Sequence, residues 1–281
     1  MEIHKVAVLG AGTMGHGIAQ VCASSGFQVA LGDVSDVQLA KAVEKVRGSL
    51  EKLASKGRLQ GEVADVLGRL SVSSSMDTVL DGADLVIEAV PEKMELKLEL
   101  FRVASDKAPA HAIFATNTSS LSVTEIAADT GRAERVVGLH FFNPVPVMEL
   151  LEIVRGLSTD DATIETSVAF AKRIGKDPVV VKDWPGFATS RLGIILGCEA
   201  IRMVEQGVAS PADIDKAMKL GYRHPMGPLE LTDLVGLDVR LAIMEHLFAE
   251  LGEQFRPPAL LRQMVRAGKL GRKSGEGFYT Y

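Results

Sequence analysis

Residues 6–33 read VAVLGAGTMGHGIAQVCASSGFQVALGD, and the first 27 of them include no Asp, Glu, Lys or Arg. A charge-free run of that length is long enough to cross a bilayer as a helix. Its six glycines, with Ser, Thr and Gln between them, argue against that reading. The run also divides into distinct parts. A β-like VAVLG (6–10) is followed by a Gly-rich turn, a helical stretch (13–25) and a second β-like FQVALGD (27–33). That order predicts a buried β-α-β unit.

The turn GAGTMG (10–15) matches G-x-G-x-x-G. In such a turn Gly10 permits the tight bend, Gly12 lets backbone approach a pyrophosphate, and Gly15 lets helix and strand pack closely. Thr13 and Met14 complete the turn and join the candidate cofactor-binding set. The helix that follows presents unpaired N–H groups and the positive end of its dipole to phosphates. Asp33 ends the second strand 18 residues after Gly15, placed to accept hydrogen bonds from adenosine ribose hydroxyls. No arginine adjoins it to meet a 2′-phosphate, so the expected cofactor is NAD rather than NADP.

Outward from this unit the alternation continues. LVIEAV (85–90), AIFATN (112–117), VVGLHFF (136–142) and PVVVKD (178–183) read as further strands, with helices over 35–56, 93–107 and 160–175. Short, branched, apolar strands of this kind predict a parallel sheet covered on both faces, in a doubly wound α/β domain of the Rossmann type. The pattern changes at WPGF (184–187). Beyond it β-like runs are scarce, and helices are expected over 190–206, 211–220, 228–251 and 257–267, several with Pro near their starts. The expected division is a dinucleotide-binding domain over 1–184 and an all-helical domain over 185–281. A small helical domain with this many apolar faces is expected to form a homodimer.

The 281 residues include 47% hydrophobic side chains and have a net charge of −5. A packed core is expected, and neither nucleic acid nor an anionic membrane is the expected partner. Cys22 and Cys198 lack metal-type spacing, and the six histidines form no HxH or HExxH pattern, so no metal site is expected. Glu2 is acidic and the apolar run begins as a strand, which disfavours a secretory signal. A reduced, cytoplasmic protein is the expectation.

HFFNPVPVMELLE (140–152) has a titratable group at each end of an apolar stretch. If the chain reverses about NPVPV, His140 and Glu152 fall opposite each other, with Cβ atoms ~5 Å apart. Two readings are open on spacing alone. One is a buried, structurally paired histidine. The other is a base whose tautomer is fixed by the carboxylate.

At this point the chain resembles the 3-hydroxyacyl-CoA dehydrogenases, especially the bacterial 3-hydroxybutyryl-CoA type. The resemblance covers essentially the whole length. It rests on VLGAGTMGHGIA (8–19), VIEAVPE (86–92), ATNTSSL (115–121), GLHFFNPVPVMELLE (138–152), VKDWPGF (181–187), HPMGPLELTDLVGLD (224–238) and GRKSGEGFY (271–279). It implies NAD-dependent interconversion of (S)-3-hydroxyacyl-CoA and 3-oxoacyl-CoA. His140 is implied as general base and Glu152 as its orienting carboxylate, with Ser119 and Asn143 holding substrate oxygens. Glu92, Lys97 and Asn117 match positions that line the cofactor or the mouth of the site, and Ser49 and Lys56 match positions that contact CoA. The family motif GF-x-x-N-R reads GFATSR here, so Ser190 stands at a substrate-contacting asparagine. Two other readings keep the scaffold: a sugar-acid (gulonate-type) dehydrogenase, or a non-catalytic NAD-binding structural protein. GRKSGEG (271–277) reads as a flexible basic turn.

Overall fold

The charge-free segment folds into β1 (Lys5–Leu9), α1 (Thr13–Ser24) and β2 (Gln28–Gly32) in a computed structural model that describes residues 1–281. After Lys5, every residue of β1 is buried, as expected of a central strand covered on both faces. No helix is long and apolar enough to cross a membrane. α2 (Asp36–Ser55) begins at Ser35, whose hydroxyl accepts from the Gln38 N–H. Its buried stripe Leu39, Ala42, Val46 and Leu50 follows helical spacing.

The chain continues through α3 (Val63–Gly68), β3 (Leu70–Ser73), α4 (Met76–Leu80), β4 (Leu85–Glu88), α5 (Met94–Lys107), β5 (Ile113–Thr116) and α6 (Val123–Ala128). It then runs through β6 (Val136–Phe141), β7 (Leu150–Arg155), α7 (Asp161–Arg173) and β8 (Asp177–Lys182). These eight strands form one sheet in the order β3-β2-β1-β4-β5-β6-β7-β8. The first six positions in that order are parallel neighbours, so the C-terminal ends of β1, β2, β4, β5 and β6 share one edge. In an open α/β sheet that edge is where ligands bind.

At one side the sheet takes in the reversed strand that the His140–Glu152 spacing implies, and there it is no longer covered on both faces. β7 runs antiparallel to β6, because only eight residues, 142–149, separate them, too few for a crossover helix. β8 pairs with β7 alone and leaves Val179 and Val180 nearly half exposed. The reversal between β6 and β7 is tied down by buried Lys176. Its ammonium donates to the Val145 and Met148 carbonyls at 2.6 and 2.5 Å. β3, α3, α4 and α6 are also additions to the expected elements.

The chain forms two compact units, Met1–Asp183 and Trp184–Tyr281, each with its own apolar core. The second unit holds α8 (Thr189–Glu205), α9 (Pro211–Gly221), α10 (Pro228–Val235), α11 (Leu237–Leu251) and α12 (Ala259–Arg266). The single helix expected over 228–251 is two helices. They break at Gly236, whose φ of 103° no helix accommodates. The tail is not a loose turn. The Asp233 carboxylate accepts from the Phe278 and Tyr279 N–H groups at 2.9 Å each, and the Tyr279 hydroxyl donates to Asp215 at 2.7 Å.

Candidate active site

The Gly-rich turn leaves β1 through Gly10, which has a φ of 104°. A Cβ on Gly10 would lie 2.8 Å from the Ala89 carbonyl oxygen, and one on Gly15 would lie 1.7 Å from the Gly10 oxygen. Packing therefore requires both glycines. Gly12 differs: a Cβ there meets nothing within 4 Å. Its open side faces a cavity of ≈ 690 Å³, lined by Gly10, Gly12, Thr13, Met14 and Asp33 with an apolar wall from Ala89, Val90 and Pro91. The volume suits a small-molecule ligand. Gly12 is also the N-cap of α1 and supplies no side-chain cap, so the helix's first N–H groups remain available to an anion. The Asp33 carboxylate accepts from Ala11 N–H at 2.8 Å and Ser35 N–H at 3.0 Å. These bonds fix it at the cavity rim, with lone pairs remaining for hydroxyl donors. The open glycine, uncapped helix and fixed carboxylate fit a dinucleotide.

At the same sheet edge, the register of β6 and β7 sets His140 opposite Glu152, the pairing the spacing predicts. His140 Nδ1 lies 2.7 Å from Glu152 Oε2, and both side chains are buried. A carboxylate only accepts, so Nδ1 carries the proton. The Phe142 ring packs against the imidazole at 4.4 Å between centroids. Asn117, at the end of β5, accepts the Phe141 N–H at 2.9 Å and so ties β5 to the backbone beside His140.

Glu92, Lys97 and Ser119 meet in a network whose anchor the sequence reading missed. Lys97 is buried and is not part of the cavity wall. Its ammonium lies 2.7 and 2.9 Å from the two oxygens of Glu88, itself fully buried, and 3.2 Å from Glu92 Oε2. Glu88 also accepts from Val90 N–H and the Thr116 hydroxyl, both at 2.7 Å. Glu92 Oε1 accepts from the Thr118 hydroxyl at 2.5 Å, the Ser119 N–H at 2.8 Å and the Ser119 hydroxyl at 3.2 Å. Burial pushes the Glu88 carboxyl above its ordinary range despite Lys97. Burial acts the same way on Glu92, but the Lys97 charge and the Thr118 and Ser119 bonds outweigh it and hold that carboxyl below 4.5. An acidic residue ending the apolar strand LVIE, nine positions before a lysine, was the available signal for Glu88.

A second cavity, of ≈ 290 Å³, lies between α1, α2 and the 143–147 segment. It brings Ser49 and Lys56 together with Asn143, and adds two cations the sequence reading did not single out, Lys52 and Arg58. Ser190 lies in the first turn of α8, in the second unit.

The chain is similar to known proteins over its whole length. The family model described as 3-hydroxyacyl-CoA dehydrogenase, NAD binding domain, matches residues 5–184, and that of the 3-hydroxyacyl-CoA dehydrogenase C-terminal domain matches residues 186–281. A probable 3-hydroxybutyryl-CoA dehydrogenase of Bacillus subtilis is 48% identical over 283 residues, covering 100% of this chain and 98% of that protein. The 3-hydroxybutyryl-CoA dehydrogenase of Bradyrhizobium diazoefficiens is 45% identical over 281 residues, covering 99% of this chain and 96% of that protein. Among solved structures, the (S)-3-hydroxybutyryl-CoA dehydrogenase PaaH1 from Ralstonia eutropha superposes with a TM-score of 0.96 at 45% identity, covering 100% of this chain and 99% of that one.

Proposed function

The chain belongs to the 3-hydroxyacyl-CoA dehydrogenase family of NAD-dependent oxidoreductases, and from that premise we propose that it interconverts (S)-3-hydroxyacyl-CoA and 3-oxoacyl-CoA through His140. Short acyl chains, 3-hydroxybutyryl-CoA among them, are its substrates. The observation that carries this reading is the 2.7 Å bond from His140 Nδ1 to Glu152, made at the sheet edge that also bears the Gly-rich cradle. That bond fixes the imidazole tautomer, so the proton of the 3-hydroxyl passes to Nε2 while Glu152 stabilises the imidazolium. Bound NAD supplies the hydride acceptor for C3. In the reverse direction His140 returns the proton to the 3-oxo oxygen.

Ser119 and Asn143 hold the substrate oxygens, and Ser190 offers a hydroxyl donor and acceptor where the family has an asparagine. Gly10, Gly12, Thr13, Met14, Gly15 and Asp33 cradle the cofactor, and Glu92, Lys97 and Asn117 shape that side of the site. Ser49 and Lys56, joined by Lys52 and Arg58 around one cavity, receive the CoA phosphates. The free, buried thiols of Cys22 and Cys198 suit the reducing cytoplasm. Leu192, Leu220 and Tyr222, all more than two-thirds exposed on the second unit, suit a homodimer; light scattering tests it.

The test of the activity follows NADH consumption with acetoacetyl-CoA, with chiral analysis of the product. Rapid oxidation of NADH and an (S)-hydroxy product are expected. Folded protein that leaves NADH untouched with acetoacetyl-CoA and with longer 3-oxoacyl-CoA esters contradicts the proposal.

A further inference from the structure

Glu88 lines neither cavity, and its burial leaves it no route to a ligand. Its carboxylate nevertheless holds three elements at once. It takes Val90 N–H from the loop after β4, the Thr116 hydroxyl from β5 and the Lys97 ammonium from α5. An ammonium has three N–H donors. Two of those of Lys97 are spent on Glu88, and the ammonium also forms an ion pair with Glu92 Oε2 at 3.2 Å. The other oxygen of Glu92 is thereby left to Thr118 and to both donors of Ser119. A continuous chain of hydrogen bonds and one ion pair thus runs from Glu88 through Lys97 and Glu92 to the Ser119 hydroxyl.

We propose that Glu88 is a positioning residue for the reaction, acting through Lys97 and Glu92 to set the place and orientation of the Ser119 hydroxyl. The inference rests on the reading of Ser119 as a substrate contact. The Val90 N–H, the Thr116 hydroxyl and the Lys97 ammonium all donate to the Glu88 carboxylate, so a neutral amide in its place sets an NH2 group against the ammonium, which bonds both oxygens. Lys97 then loses its strongest partner and turns to Glu92, the carboxylate that Ser119 needs. The hydroxyl drifts from its position without any change in its own identity.

A double-mutant cycle tests this. Glu88→Gln is expected to lower kcat about tenfold, since a small displacement of a reacting contact is costly. In a Ser119→Ala background the same substitution is expected to change kcat by less than about twofold, because the group it acts on is gone. An unfolding Glu88→Gln protein is replaced by Glu88→Asp, which keeps the buried charge paired and shortens its reach to Lys97; the same non-additivity is expected. Full additivity of the two effects, or a wild-type kcat in Glu88→Gln, overturns the proposal. A wild-type kcat in Ser119→Ala overturns it together with the reading of Ser119, whereas additivity with a slow Ser119→Ala enzyme overturns the proposal alone.

Discussion

His140 Nδ1 and Glu152 Oε2 lie 2.7 Å apart across adjacent antiparallel strands, with both side chains buried. A buried carboxylate that accepts from an imidazole N–H fixes both the orientation and the tautomer of the ring. Glu152→Gln keeps the shape and removes the charge. The expected result is a kcat reduced ~10²-fold or more with KM for acetoacetyl-CoA little changed. A Glu152→Gln enzyme within a few-fold of wild-type kcat would show that the bond serves the fold alone.

The glycines of the cradle separate into two kinds, and substitution should tell them apart. Gly12 has φ −70°, which alanine adopts freely, and its missing side chain faces open space. Gly12→Ala is expected to keep wild-type stability within about 0.5 kcal/mol while raising the Kd for NADH at least ~10-fold, because the methyl group stands where a pyrophosphate must approach. Gly15→Ala places a Cβ 1.7 Å from the Gly10 oxygen and is expected to cost on the order of 2 kcal/mol or more. Urea unfolding and NADH fluorescence titration check the pair. Equal losses of stability in both would refute the division.

The parts of this protein that were legible in its sequence are those fixed by local chemistry. The Gly-rich turn, the strands around it and Asp33 lie within 28 consecutive residues, and the His140–Glu152 pairing follows from counting along one hairpin. β3 escaped because its apolar–polar alternation, LSVS, lasts only four residues, too short to separate from a loop. The break at Gly236 escaped because the apolar pattern continues through α10 and α11, while only the backbone angle changes. Glu88 and Lys176 escaped for a shared reason. Each acts on backbone or side chains from other elements, and a buried charge in sequence looks like any surface charge until its neighbours are known.

The basic cavity predicts a division within the substrate. Lys52, Lys56 and Arg58 are exposed, so they act as point charges screened by salt. Lys56→Ala combined with Arg58→Ala is expected to raise KM for acetoacetyl-CoA about tenfold at low salt, with a smaller effect at high salt. The corresponding pantetheine thioester, which lacks the nucleotide phosphates, should show no such penalty. A similar rise in KM for both esters would move the phosphate contacts elsewhere.

Asp84 gives a pH signature of the fold itself. Its carboxylate accepts from the His4 and Lys5 N–H groups at 2.8 and 2.9 Å and pairs with His111 at 3.0 Å. Burial opposes the charge, but these partners outweigh it and hold the carboxyl below its ordinary 3.8. A carboxyl with a lowered folded-state pKa stabilises the fold above its unfolded value and loses that contribution as pH falls through the folded one. Asp84→Asn is expected to cost about 2 kcal/mol at neutral pH. The gap from wild type should narrow as the solution is acidified below 3.8. Urea midpoints measured along that series check it, and a gap that stays constant into strong acid would contradict the assignment.

In the proposed reaction His140 moves the substrate proton while other residues bind the cofactor. The most direct measurement compares wild type and His140→Ala in two assays, NADH oxidation by acetoacetyl-CoA and NADH binding by fluorescence. The predicted result is a kcat lower by ~10³-fold or more with a Kd for NADH within about twofold of wild type. A His140→Ala enzyme that binds NADH normally and keeps more than about a hundredth of the wild-type kcat would rule out His140 as the general base, because general-base loss costs at least ~10²-fold.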